Sequence, residues 1–447
     1  MRMNPIKSKS RMTGTLKIRK RRIYDWMLLI ISLWPFLTKL LLMIPGIPSA
    51  VKYLADVFLV LFVLAIFTGR KLQIRRTIFP PVAMIGIFFL YTLAVYVFRF
   101  QSPFYYLWGF RNNFRFYIAF ILYAEMLTEE EGLSWFRILD VLFWINLVLS
   151  IIQFVFMGYS GDFLGGIFGV EGASNGFTLI FISIVVAKSL LCYQEQQEPL
   201  WLCLLKAAAA LLVAAMAEMK FFFVLFAIIL ALSSLLTRFS WGKVTVIVAA
   251  VATIGIFASL LESIFGIENL LSFEYLWGVA TQDNYSSGDD INRLSAIATL
   301  SETIVTKPVD QIFGLGLGNC DTSAFQVCNT PFYRRYGYLH YIWFSAAMMF
   351  LETGYLGLLC YFGFFIVCFW CSRKKVKDES GNPLFSKLAM ILSLVCCIIA
   401  FYNSALRVES AYMVYFTLAL PFIRQSSSAS VSTHAAALFP SEGGIVL

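Results

Sequence analysis

The sequence predicts an all-α polytopic membrane protein with about twelve transmembrane helices and one large loop on its outer face. Composition is the first support. Of 447 residues, 60% are hydrophobic, 17% aromatic and only 14% charged, with a mean hydropathy of +0.77, which excludes a soluble globular protein. The second is the recurrence of apolar runs near the length of about 20 residues that a bilayer requires. The third is charge placement. The net charge of +9 is not a nucleic-acid signature, because the basic residues sit between apolar runs, where they orient the spans.

In order, the runs are 24–44, 51–69, 78–100, 114–127, 138–157, 173–192, 200–217, 221–237, 244–262, 353–371, 386–403 and 409–424. The first is preceded by Arg19-Lys20-Arg21-Arg22 and could pass for a signal peptide. However, it contains Pro35 and Lys39, lacks a small-x-small cleavage site and leads straight into a second run, so an uncleaved helix is expected. Twelve spans place both termini on one side. Arg70, Lys71, Arg75 and Arg76, then Arg238 and Lys243, then Arg373, Lys374, Lys375 and Lys377 fall on that same side, which the positive-inside rule makes cytoplasmic. The chain thus divides into a basic cytoplasmic N-terminus (1–23), nine spans (24–262), a large extracytoplasmic loop (263–337), a His-containing segment with three more spans (338–424) and a disordered Ser/Ala-rich cytoplasmic tail (425–447).

The outer face carries the candidate chemistry. His340, one of only two histidines, directly follows the large loop, and its partner in the count, His434, lies in the tail. With an ordinary pKa near 6.5, a histidine there suits general acid–base work, although in its aromatic surround of Tyr338, Tyr341 and Trp343 it also reads as a hydrogen-bonded interfacial residue. Arg111 and Arg115 lie one turn apart at the expected start of the fourth span, where helix-end N–H groups and two guanidiniums would clamp a phosphate; snorkelling to lipid headgroups is the alternative. Lys220 beside Glu218, and Arg407 beside Glu409, read as local ion pairs at outer turns. Arg293 heads an apolar-periodic stretch, Leu294 to Ile304, expected to form an amphipathic helix on the membrane surface.

After Pro308 comes Gly314-Leu315-Gly316-Leu317-Gly318. No nucleotide is available outside the cell, so alternating glycines there point to close backbone approach. A second glycine-rich loop, 158–176, ends in Ser174-Asn175-Gly176, an expected N-cap for the sixth span. Cys320 and Cys328 share the outer loop as either a disulfide or two free thiols. Metal binding has little support, since no second histidine lies outside. Asp283 with Asp289-Asp290 reads as a weak cation site or a solvated turn.

Arg293 on a loop helix, then Pro308 and Gly314-x-Gly316-x-Gly318, then His340 and Glu352-x-Gly354-x-x-Gly357 opening a late span, resemble the O-antigen ligase/polymerase superfamily. The glycine loop ending at Asn175 resembles the family's Gly-x-x-x-Asn entry to a mid-chain span. Two positions depart from the pattern. His340 is followed by Tyr341 where members often have Asn, and Met219-Lys220-Phe221 stands where members often have Ser-Arg-Gly. An ammonium does not reproduce the bidentate fork of a guanidinium.

The resemblance implies a metal-independent, cofactor-free glycosyltransferase of the membrane-embedded GT-C type in the bacterial inner membrane. Its donor would be an oligosaccharide on undecaprenyl pyrophosphate, its acceptor a glycan or glycolipid, and a chain-length regulator a possible partner. His340 would take the acceptor proton. Arg293, with Arg111, Arg115, Lys220 or Arg407, would neutralise the leaving pyrophosphate, and Glu352 would orient the imidazole or cap the span. A polysaccharide polymerase is the expected member, with an O-antigen ligase as the alternative. A flippase would need the same number of spans, but the sequence shows no repeat halves and few midplane charges, Lys39 and Lys206. An inward-facing acetyltransferase is disfavoured by the absence of an inward histidine before the tail.

Overall fold

The computed structural model describes residues 24–42, 44–69, 74–172, 174–237, 291–322 and 329–424, with isolated helical positions between 245 and 259. The expected ninth span, the loop up to residue 290 with its three aspartates, Cys328 of the expected cysteine pair, the basic N-terminus and the tail lie outside the described residues.

Among the described residues the chain is all helical, without a β-strand. The helices are α1 (Tyr24–Ser32), α2 (Trp34–Leu42), α3 (Leu54–Gly69), α4 (Phe79–Phe98), α5 (Pro103–Met126), α6 (Glu129–Val155), α7 (Ser174–Gln194), α8 (Leu200–Met216) and α9 (Lys220–Leu235). After the gap follow α10 (Ala296–Thr303), α11 (Pro308–Phe313), α12 (Pro331–Tyr336), α13 (Ser345–Lys377), α14 (Pro383–Tyr402) and α15 (Ala411–Ala419). Five of them, α4, α6, α7, α13 and α14, are long and apolar enough to cross a membrane. The pair α1–α2, bent by 67°, makes a sixth if it is one span. Pro35 sits at that bend, where its ring and missing N–H interrupt the helical ladder. Of the long apolar helices, α7 is the most enclosed, and aromatic side chains from α2, α5, α6, α13 and α15 fill the remaining core.

Three element boundaries differ from the sequence reading. The run expected to span over 114–127 belongs to a 24-residue helix that begins at Pro103 and is not among the helices apolar enough to cross a membrane. The Arg-Asn-Asn-Phe-Arg stretch read as its start is mid-helix, because carboxylates from other elements neutralise those charges in place. The run expected as the tenth span, 353–371, lies inside the 33-residue α13, which starts earlier and ends later. The stretch expected to be helical from Arg293 forms a helix only from Ala296, so Arg293 precedes it.

α13 is broken at Gly354, whose φ of 66° and ψ of −171° are not helical. The break frees backbone carbonyls that the glycine-rich segment captures. Leu315 N–H donates to Leu351 O at 2.8 Å and Gly316 N–H to Glu352 O at 2.9 Å, while the Tyr91 hydroxyl donates to Thr353 O at 2.6 Å. Glycine is required here by contact. A Cβ on Gly354 would run into the Ile312 carbonyl, one on Gly314 into the Glu352–Thr353 peptide, and one on Gly318 into Tyr105 O and Gly109 N of α5. The close-approach reading of these glycines holds.

Two ends can be distinguished. At one, Arg75 Nη2 donates to Phe422 O at 2.6 Å, Lys375 Nζ to Pro421 O at 2.8 Å, and Asn382 Nδ2 to Glu129 Oε1 at 2.7 Å. Arg75 and Lys375, from two basic loops expected on one face, line the same cleft of about 320 Å³. There they hold carbonyls at the C-termini of α5 and of the α15 extension, a favourable place for cations. The other end gathers residues 291–322 and 329–345 around α5 and the α14–α15 turn. Between the ends, Lys188 and Lys206 share Asp140, and Lys206 also reaches Glu198 at 3.1 Å, so that buried network is neutral.

The break predicts a contrast between glycines. Gly354→Ala should cost roughly 1–3 kcal/mol for the backbone conformation alone, and more through the carbonyl contact. Gly86→Ala, in α4 with nothing near the added Cβ, should be neutral or stabilise by up to about 1 kcal/mol. Thermal unfolding midpoints in detergent measure both, and equal losses would contradict the tight-approach account.

Candidate functional site

His340 lies between two single 3-10 turns, Gly337–Leu339 and Tyr341–Trp343, in the left-handed conformation (φ 54°, ψ 25°). Such a backbone costs a non-glycine residue about 1–3 kcal/mol and persists only where the surroundings impose it. Three ties do so. Ile291 N–H donates to Leu339 O at 3.4 Å; the Tyr341 hydroxyl, fully buried, donates to Cys320 O at 2.7 Å; and Ser345 donates through N–H and Oγ to Asn403 O at 3.0 and 2.9 Å. Trp343 stacks on the imidazole, centroids 4.0 Å apart and planes 14° from parallel.

The Ile291–Leu339 hydrogen bond brings the segment carrying Arg293 alongside the one carrying His340. The Arg293 guanidinium lies 4.3 Å over the Tyr402 ring, and Tyr402 stacks on Phe221 at 4.0 Å and 12°. Phe221 adjoins Lys220, at the first residue of α9. A Cβ on Gly176 would stand 3.6 Å from Asn403 Nδ2, which brings the Asn175–Gly176 turn to the same place, with Asn175 donating to Asp162. The segments carrying Arg293, His340, Lys220 and Asn175 therefore converge near Tyr402–Asn403, although they are far apart in the sequence.

Arg111, Arg115 and Arg407 form a different, deeper layer. Arg111 pairs with Asp56. Arg115 reaches Asp56 Oδ1 and Glu409 Oε1, each at 3.4 Å, and donates to Arg407 O. Arg407 pairs with Asp321 at 3.2 Å and stands 3.9 Å from Glu352. Asn112 donates to Asp321 at 2.6 Å and the Tyr412 hydroxyl to Asp56 at 3.1 Å. These three cations face four carboxylates, Asp56, Asp321, Glu352 and Glu409. A layer whose cations are already matched by carboxylates has no electrostatic reason to take a pyrophosphate. The helix-end argument for Arg111 and Arg115 also fails, since both lie mid-helix. The expected Arg407–Glu409 pair is instead split, each residue serving a different partner.

Glu352 is fully buried, and its carboxylate oxygens close no hydrogen bond among the described residues. It faces Arg407 and the glycine-rich segment, so it does not orient the imidazole. Nor does it cap the part of α13 beyond the break at Gly354, since its oxygens accept from no N–H of that helix. Burial, reinforced by Glu352 and Asp321, pushes the Cys320 thiol well above its usual range. Asp56, Asp321, Tyr402 and Asn403 are missed by the sequence reading, and Trp343 enters it only as part of the aromatic surround of His340. Their only sequence signal is polarity or aromaticity next to an apolar run, which many other positions share.

No protein-family model matches the chain, and no curated protein is detectably similar to it.

The two layers predict different arginine phenotypes. Arg115→Ala leaves two carboxylates without their shared cation and should cost about 3–5 kcal/mol, reducing folded protein in the membrane. Arg293→Ala removes the cation–π contact over Tyr402, worth about 1 kcal/mol, and should cost clearly less than Arg115→Ala. Unfolding midpoints of the purified variants check this, and a reversed order would mean that the layers are misassigned.

Proposed function

We propose that the chain polymerises oligosaccharide repeat units carried on undecaprenyl pyrophosphate, as a metal-independent glycosyltransferase of the bacterial inner membrane. In this reading about twelve spans leave both termini cytoplasmic and put the His340 end outside. The observation that carries it is the meeting of the segments that bear His340, Arg293 and Lys220 around Tyr402–Asn403, which sets a general-base side chain in the same region as two basic side chains.

The chemistry follows from those roles. His340 accepts the proton of an acceptor-sugar hydroxyl, whose oxygen attacks the anomeric carbon of the donor. The bond from that carbon to the pyrophosphate oxygen breaks, and the lipid pyrophosphate leaves with the electron pair. Arg293 and Lys220 stabilise the charge that develops on it. Arg111, Arg115 and Arg407 are assigned to holding the site together. Ligation of the glycan to another acceptor would use the same groups. A strain lacking the gene separates the readings: lipid-linked single repeats mean loss of a polymerase, long lipid-linked chains loss of a ligase, and precursors held inside loss of a flippase.

His340→Ala should lower transfer by about 10²–10⁴-fold while the protein still inserts. His340→Asn should be as inactive, because an amide cannot take the proton. Arg293→Lys keeps the charge but loses the planar fork, so transfer should fall substantially. Transfer from a lipid-linked donor in detergent measures all three, and near-normal turnover by His340→Asn would remove His340 from the base role.

A further inference from the structure

We propose that Trp343 is a positioning residue for His340, fixing the imidazole plane in which it meets the acceptor hydroxyl. This rests on the reading of His340 as the base. The indole and imidazole lie face to face at 4.0 Å and 14°. The backbone enforces the pairing: His340 in the left-handed conformation reverses the chain, and the next 3-10 turn closes with Trp343 N–H donating to His340 O at 3.0 Å. Residues three apart are thereby brought side by side on one short turn.

A stack of this kind acts on the last freedom of a histidine side chain, rotation about its ring bond. Turning the imidazole out of plane would drive its edge into the indole face, so the ring nitrogens keep a fixed direction. The face of an indole is also electron-rich and favours the imidazolium that forms once the proton has been taken. A plain membrane-interface role for Trp343, which is 46% exposed, would need neither the parallel geometry nor the strained residue that produces it.

The chain has two histidines, so selectively ¹³C-labelled histidine gives one signal set for His340 and one for His434 as an internal reference. In the full-length protein in detergent, the ring protons of His340 should be displaced upfield by the indole ring current. Trp343→Leu, which keeps bulk but has no ring, should abolish the displacement and lower kcat by up to about 10²-fold with acceptor KM unchanged. Trp343→Phe should retain a smaller displacement and recover most of kcat. Absence of the displacement in the parent protein would overturn the proposal, as would an unchanged kcat or an effect confined to KM in Trp343→Leu. His340→Ala is measured in parallel. Full activity of that variant would sink the base assignment while the ring-current signal still reports the stack, so the two failures are distinguishable.

Discussion

The break in α13 at Gly354 is the constraint on which the rest of this end depends. A continuous helix would consume the carbonyls of residues 351–353 internally. The non-helical glycine releases them, and the chain satisfies them with Leu315 N–H, Gly316 N–H and the Tyr91 hydroxyl. A buried carbonyl left without a donor would cost about 1–3 kcal/mol, so the glycine-rich segment and the break stabilise each other. The seam is narrow enough that only glycine fits on both sides of it. Gly318 abuts Gly109 of α5 and Gly314 abuts the peptide after Glu352, which fixes α5, α13 and the 308–322 segment as one unit.

That unit explains the charges beneath the site. Once the 314–321 segment is seated against α5, Asp321 falls between Asn112 and Arg407, and Glu352 faces the same guanidinium. Isolated, any of these charges would be prohibitive to bury. Asp56, Arg115 and Glu409 form a second group of opposite charges from α3 through α5 to the α14–α15 turn, joined to the first where Arg115 donates to Arg407 O. The interactions are mutually dependent, because each guanidinium serves two elements. Removing one cation would leave carboxylates on different helices to repel each other, so the layer ties helices that are distant in sequence.

Sequence reasoning reaches some of this and not the rest, for identifiable reasons. The helical class and the membrane-compatible helices follow from apolar run length, which is a local property. The role of the alternating glycines is also local, because a missing Cβ has few other uses at such spacing. The mistaken start of α5 has a physical origin: a run containing two arginines reads as a span end only if its charges are assumed to be solvated. Asp56, far upstream, and Glu409, near the end of the chain, cancel them, and no window on residues 103–126 contains that information. Arg293 and His340 stand out through scarcity, whereas Tyr402 and Asn403 do not, being ordinary residues at the end of an apolar helix.

The position of His340 is better understood through what holds it than through its own chemistry. A short irregular turn would ordinarily sample many conformations, and in the role proposed for His340 a wander of about an ångström would lose much of its effect. Here the preceding residue is tied to Ile291, the following one to Cys320 on the seated segment, and Ser345 to Asn403 after α14. Each anchor belongs to a different part of the fold, so the left-handed backbone at His340 is imposed from three directions. Its strain is sustained by interactions that would otherwise be left unsatisfied, among them the buried Tyr341 hydroxyl. Arg293 is placed by one of the same anchors, since the hydrogen bond from Ile291 sets the strand of chain on which it rides. A displacement of the 314–321 segment would therefore move the imidazole through Tyr341 while leaving Asn403 in place, which makes the glycine seam, rather than the outer surface, the element that sets the geometry of the site.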